Sequence, residues 1–423
     1  MQSAAKHLAC STNHTDCNEA SEMLRCALHD GLSLKQNMPT EPIHLKGITW
    51  NHSRGFVPMA ATAQRFSELN PNVHITWEKR SLQQFADESI QQLAERFDLL
   101  VIDHPWAGFA ARTGSILPLD EYLPAEFLAD QQANTVGHSF ESYSFNGHQW
   151  ALPIDAATPV AASRPDLLAQ HGLTLPETFD DLLALADRGL VAFSLIPIDT
   201  LMSFYMFCCS LGEDPCQREN EVVSEVVGVQ ALQLFRQLAS KVDPACFHRN
   251  PIQTYEAMTQ TDALAYCPFA YGYSNYARRG YARRLLHFHD MVSLTPGGTR
   301  LHSTLGGTGL AISTKCTQVE TAVRYAEFVA SPTCQQTLYF DNGGQPGHLT
   351  AWQDEHVNEQ SSNYFTATLP SLQRAFLRPR YHGHMFFQDH AGEPVRQYLM
   401  NGGDERALLR ELNELYVKSR TMA

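Results

Sequence analysis

The chain has 423 residues, of which 43% are hydrophobic and 18% charged, and its formal net charge is −14. This composition is globular rather than disordered, and the length suits two lobes of about 150–200 residues each better than one core. An acidic chain repels a phosphate backbone, which excludes nucleic acid as a partner. No run of roughly 18 apolar residues is present to insert in a membrane.

Residues 1–42 read as a polar N-terminal extension, or as the product of a mis-called start, with Met38 an alternative. No apolar stretch follows Lys6, so the chain as written is expected in the cytoplasm. A periplasmic location is the alternative if the start lies elsewhere or export is separate. The ten cysteines (Cys10, Cys17, Cys26, Cys208, Cys209, Cys216, Cys246, Cys267, Cys316 and Cys334) form no regular framework and read as free thiols.

From there strands and helices alternate. His44–Trp50 is a strand candidate. Met59–Leu69 has helical periodicity and stops at Asn70-Pro71. Val73–Trp77 is a second strand, and Phe85–Ala94 is helical. Leu99–Ile102 is a continuous apolar run closed by the turn signal Asp103-His104-Pro105, which suits a parallel strand buried on both faces. The opening is therefore β-α-β-α-β, an open parallel sheet with right-handed crossovers. Gly147 and Trp150–Ile154 suggest a hairpin and a strand entering a new lobe. Helices are expected at Asp180–Asp187, Thr254–Thr259, Val319–Ala330 and Arg406–Ser419, and strands at Ala263–Tyr266 and Gly306–Ile312. Arg278, Arg279, Arg283 and Arg284 read as a solvated helix face.

Several dispersed segments then carry a resemblance. Phe97–Asp103 looks like the third strand of the extracellular solute-binding proteins of carbohydrate-type ABC importers. Thr113–Leu123 is similar to that family's "G-x-L-x-P-L-D-x-x-L" segment, and Phe145–Pro153 to its "G-K-x-Y-A-L-P" crossover. Arg164–Leu168 with Pro176–Leu182 resembles "x-R-x-D-L-F … P-x-T-W-D-E-L". Gly306–Ile312 matches "G-G-x-G-L-A-I", and Ala326–Pro332 loosely matches "x-x-F-L-x-S-P".

The resemblance implies a two-lobed, periplasmic-binding-protein-like α/β fold of type II, with mostly parallel open sheets and a hinge. One lobe would comprise residues 43–150 and part of 265–350, the other 151–264 and 351–423. It also implies a monomer that binds a small polar solute (a sugar, polyol or sugar acid) and serves an ABC permease, without a cofactor or metal.

In open α/β sheets ligands sit beyond the carboxyl ends of the strands, and in two-lobed proteins they sit between the lobes. The candidates are therefore Trp50, Asn51, His52, Ser53 and Arg54 after the first strand, and Asp103, His104 and Trp106 after the third. Asp155 follows the crossover, and Tyr271, Tyr273, Gly307 and Gln345 lie in later loops. Aromatic faces with amide, carboxylate and guanidinium groups are the chemistry that sugars require. Each has a plainer reading. Trp50 reads equally as core, Asn51 and Ser53 as helix caps, Asp103-His104-Pro105 as a turn, and the tyrosines as packing. Arg54 suits a carboxylate ligand. His382 and His384 read as a solvated loop rather than a metal site. His52, Asp103, His104 and Asp155 would supply general acids and bases if they converge, so the alternative is a cytoplasmic enzyme or sensor that reuses the fold. No G-x-S-x-G, P-loop or H-E-x-x-H motif accompanies them.

Overall fold

The computed structural model describes residues 41–422. The polar extension, with Cys10, Cys17 and Cys26, lies outside the described residues except for Glu41 and Pro42.

The first lobe is built on a five-stranded sheet. Strand β1 (Ile43–Trp50) is followed by helix α1 (Ser53–Leu69), β2 (Val73–Arg80) and β3 (Leu99–Ile102), and both β2 and β3 pair with β1 in parallel. The apolar run of β3 faces two ways, as its sequence implied. Leu99 and Val101 enter one core with Met59, Phe66 and Leu310. Leu100 and Ile102 enter another with Ile48, Phe97 and Ala311. Helix α1 starts before its periodic apolar stretch because His52 caps it, with Nδ1 accepting from the Arg54 backbone N–H. The expected helix at Phe85–Ala94 is two short ones, Leu82–Asp87 and Ile90–Ala94, split where Glu88 turns extended.

A two-residue hairpin, β4 (Ser144–Phe145) and β5 (His148–Gln149), turns on Asn146 and Gly147, both at positive φ. This is the left-handed geometry that asparagine and glycine adopt most easily. Strand β6 (Leu152–Ala157) then corrects the expectation of a new lobe at residue 150. It pairs antiparallel with β10 (Gly306–Ile312) and closes the first sheet in the order β2-β1-β3-β10-β6. Leu152 and Ile154 sit in the first-lobe core, whereas Ala156 already belongs to the core of the second lobe.

Past Thr158 the chain forms β7 (Pro159–Ser163), which is flanked antiparallel by β8 (Tyr266–Tyr271) and β9 (His287–His289). The sheets are therefore not mostly parallel. Strands β1 to β3 are joined by helical crossovers, which make parallel neighbours. The strands nearest the hinge run antiparallel because β6 leaves the first lobe as β10 returns to it. The second core gathers α2 (Pro197–Ser210), which is buried along almost its whole length, and α3 (Glu225–Ala239).

Helix α4 (Val319–Ala330) packs on the first sheet through Ala322, Tyr325, Ala326 and Val329. The helix ends at Ser331, whose backbone turns extended ahead of Pro332. The Ser331 side chain caps a further turn, and from Phe340 onward the chain rejoins the second core. There α5 (His384–Asn401) lies against α2, and α6 (Glu405–Arg420) covers it. The cysteines from Cys208 to Cys334 are free thiols, and all but Cys216 are buried. The Arg278 segment is a loop, not a helix face. Its guanidinium sits over Phe340, 3.9 Å from the ring centre, and donates to the Phe340 and Gly344 carbonyls.

Candidate functional site

A cavity of about 190 Å³ opens between the carboxyl ends of β1 and β3 and the second lobe. Of the candidates taken from sequence, Trp50, Arg54, Asp103, Tyr271, Tyr273 and Gly307 line it. The β-α order explains why. Residues that follow β1 and β3 emerge at one end of the sheet, and β8 delivers Tyr271 and Tyr273 to the facing wall. Trp50 and Phe85 meet at 5.4 Å between ring centres, which makes one wall aromatic.

Two arginines brace this space. Arg54, 4% exposed, donates from Nε to Asp155 Oδ2 at 2.8 Å, from Nη2 to Asp155 Oδ1, and from Nη1 to the Gly272 carbonyl at 2.8 Å. It also lies over Tyr273 at 4.6 Å. Burial works against its charge, but the fork to Asp155 outweighs burial and holds the guanidinium above its ordinary range. Arg378 makes the second brace. It donates to Asp103 at 2.7 and 2.9 Å, to Gln388 Oε1 at 2.9 Å and to the Leu305 carbonyl at 3.1 Å. Burial opposes ionisation of Asp103, yet Arg378 beside it keeps its carboxyl well below the usual range. Arg54 reaches from the first lobe to the backbone after β8, and Arg378 reaches back from the second lobe to the end of β3.

The other candidates are elsewhere. His52 is the cap of α1, and its Nε2 meets Tyr281 Oη at 3.1 Å. Burial and then Arg54 lower its pKa to about 4, so it is neutral. Ser53 bonds Tyr281 at 2.7 Å outside the cavity. Asn51 is exposed and donates its backbone N–H to the Arg80 carbonyl; neither it nor Ser53 provides the cap. His104 is fully buried, and burial and then Arg378 bring its pKa to about 4. Trp106 packs edge-on against Phe109 within the first lobe. Asp155 lies behind the wall, committed to Arg54. Gln345 is buried and used up by the backbone, accepting from the Ser274 N–H at 2.9 Å and donating to the Ala156 carbonyl at 2.8 Å. The four candidate acids and bases do not converge, since two are locked in ion pairs, one caps a helix and one is sealed in the interior. His384 is likewise buried rather than solvated, and among the described residues no group of three or more His, Cys, Asp or Glu is arranged to hold a metal.

Residues not singled out from sequence complete the cavity. Asp199 comes from the first turn of α2, Asn250 caps the helix Pro251–Gln260, and Ile196, Ile198 and Arg378 join them. Asn250-Pro251 is a legible helix start, but nothing local says that this start faces the cleft.

Three buried polar groups at the cavity lack full partners. Among the described residues Trp50 Nε1 and Thr308 Oγ1 have no hydrogen bond and Asp199 has one, from Ser194. An unpaired buried polar group costs about 1–3 kcal/mol, so a ligand that pairs with these groups gains what the empty cleft forgoes. Gly307 makes close packing possible at the same spot. Its φ is +99°, and a Cβ there would stand 2.3 Å from the Asp155 carbonyl oxygen. Gly307→Ala should therefore destabilise the protein by about 1–3 kcal/mol, read as a lower urea midpoint; an unchanged midpoint would show that the β6–β10 contact yields easily.

Two lobes, a central sheet continued across a hinge and a cleft between them make this a two-lobed, periplasmic-binding-protein-like fold. Comparison with known proteins agrees. Residues 49–191 match the family model for bacterial extracellular solute-binding proteins, so the resemblance seen in the sequence holds. A maltotriose-binding protein of Pyrococcus abyssi is 25% identical over 126 residues, 30% of this chain and 26% of that protein. A mannitol-binding protein of Pseudomonas aeruginosa is 28% identical over 129 residues, 30% of this chain and 29% of that one. The aligned stretch spans little more than a quarter of these curated relatives. Among solved structures, maltose-bound MalE3 of T. maritima superposes with a TM-score of 0.74 at 16% identity, covering 88% of this chain and 99% of that one. A ribitol complex of an ABC transporter solute-binding protein from Agrobacterium radiobacter K84 gives 0.75 at 17%, covering 90% and 99%. At these identities the structural likeness establishes the fold.

Proposed function

We propose that the protein binds a small sugar or polyol in the cleft between its lobes and delivers it to an ABC-type permease. The observation that carries this reading is the cavity itself. Aromatic faces from Trp50, Phe85, Tyr271 and Tyr273 surround partly unpaired polar atoms on Trp50, Thr308 and Asp199. Sugar rings have apolar faces to stack on the former and hydroxyls to pair with the latter. The relatives named above, which bind maltotriose, mannitol, maltose and ribitol, support the same class. The sugar-acid variant loses its motive, because the Arg54 fork that would clamp a carboxylate is occupied by Asp155. An enzyme reading gains nothing from the scattered His52, His104, Asp103 and Asp155. The matched family is extracellular by its own description, which favours the exported location over the cytoplasmic expectation. Among the described residues no helix is long and apolar enough to cross a membrane.

A thermal-shift screen against sugars, polyols and sugar acids tests this. A ligand at 100 times its dissociation constant adds about 2.7 kcal/mol to the folded state, which shows as a shift of at least about one to two degrees. The expected hit is a sugar or polyol recovered chemically unchanged. A hit that is consumed would turn the assignment to an enzyme, and a response only to sugar acids would reverse the reading of Arg54.

A further inference from the structure

The charged side chains around the cavity do not balance. Arg54 is matched by Asp155 and Arg378 by Asp103, each through more than one hydrogen bond. That leaves Asp199, which is 8% exposed, lines the cavity and forms no ion pair among the described residues. The titratable groups that feel its charge are Tyr271, Tyr273 and Cys267, all of them neutral. Its one hydrogen bond is shared. Ser194 Oγ lies within reach of both Asp199 Oδ2 and the Arg249 carbonyl oxygen, the latter at 2.8 Å, and a hydroxyl has one proton to donate. Burial pushes the Asp199 carboxyl up to about 6, although it sits in the first turn of α2, where the helix dipole favours negative charge. Among the described residues this carboxylate has no counter-charge, and it stands at the wall of a cavity lined with aromatic rings, surfaces that also attract cations.

We propose that the ligand of this cleft is a polyhydroxylated amine, such as an amino sugar or aminocyclitol, whose ammonium group pairs with Asp199. The inference rests on the cleft being the ligand site and narrows the ligand class of the proposed function. The hydroxyls of such a ligand meet Thr308 and Trp50, and the ammonium supplies the positive charge that the protein withholds from Asp199.

The test is calorimetric titration at pH 7.5 with matched probes: glucosamine, galactosamine and 2-deoxystreptamine against N-acetylglucosamine, N-acetylgalactosamine, glucose, galactose and mannitol. At least one amine should bind about tenfold or more tighter than its uncharged counterpart, as expected for a charge-assisted hydrogen bond. Asp199→Asn, which keeps the side chain's shape, should weaken the amine about tenfold or more and the uncharged counterpart less than about threefold. The variant's melting curve, recorded alongside, confirms that it is folded. Uncharged probes binding as tightly as amines, or Asp199→Asn weakening both sets equally, would overturn the charge assignment and leave the cleft reading standing. No binding by either set would overturn both.

Discussion

Arg54→Ala should destabilise the folded protein by about 3–5 kcal/mol, the effect of leaving one partner of a buried ion pair alone. The reason lies in what remains. Asp155 has a fully buried side chain and loses both donors of the guanidinium fork, while the Gly272 carbonyl loses its donor as well. Chemical denaturation at neutral pH reads the loss directly. The double variant Arg54→Met with Asp155→Leu should recover most of it, since apolar groups of similar volume often replace a buried pair at little cost. A loss below about 1 kcal/mol in the single variant would mean that water reaches Asp155 and that the brace is weak. The same geometry shows that Arg54→Ala measures folding before it measures ligand affinity, so affinity is better tested at Asp199.

Asp199→Asn should have the opposite sign in the empty protein and should depend on pH. The Asp199 carboxyl titrates near 6 in the folded chain against 3.8 as its ordinary value. A folded pKa raised above the unfolded one means that the native state favours the protonated form. The associated stability is fully present below about pH 3.8 and is lost as pH rises through about 6. Above that, the ionised buried side chain weighs against folding by an amount on the order of 3 kcal/mol. Asparagine removes that penalty. The variant should therefore be more stable than the parent by about 2–3 kcal/mol at pH 8 and close to it at pH 4, as read from paired urea denaturations at the two values. A difference that does not change with pH would show that Asp199 is not the group titrating. A carboxylate that weakens the empty protein in this way is the trade expected of a binding residue rather than a structural one.

Much of the fold was open to reading from the chain alone. Leu99–Ile102 is apolar at every position, and it is buried on both faces against separate cores. Gly306–Ile312 and Val319–Ala330 begin and end where their own residues say they should. Trp50, Arg54 and Asp103 were found at the cavity because strand ends in an open α/β sheet converge at one edge, a rule that needs only element order.

What stayed hidden depends on partners remote in sequence. The assignment of Leu152–Ala157 to the first sheet depends on β10, about 150 residues later. Arg54 changes from a candidate anion clamp to a brace because Asp155, 101 residues away, meets it, and Arg378 finds Asp103 across 275 residues. Asp199 was not singled out, since nothing beside it in the chain marks it; packing α2 under the cleft is what makes it a buried carboxylate with no counter-ion among the described residues. The local pieces are legible in the chain because strand and helix periodicity, caps and turn residues act over a few positions, and the two-lobed arrangement was read from the length and the resemblance. Tertiary structure alone decided which charges are neutralised and which are left over, because burial and ion pairing are properties of neighbours in space.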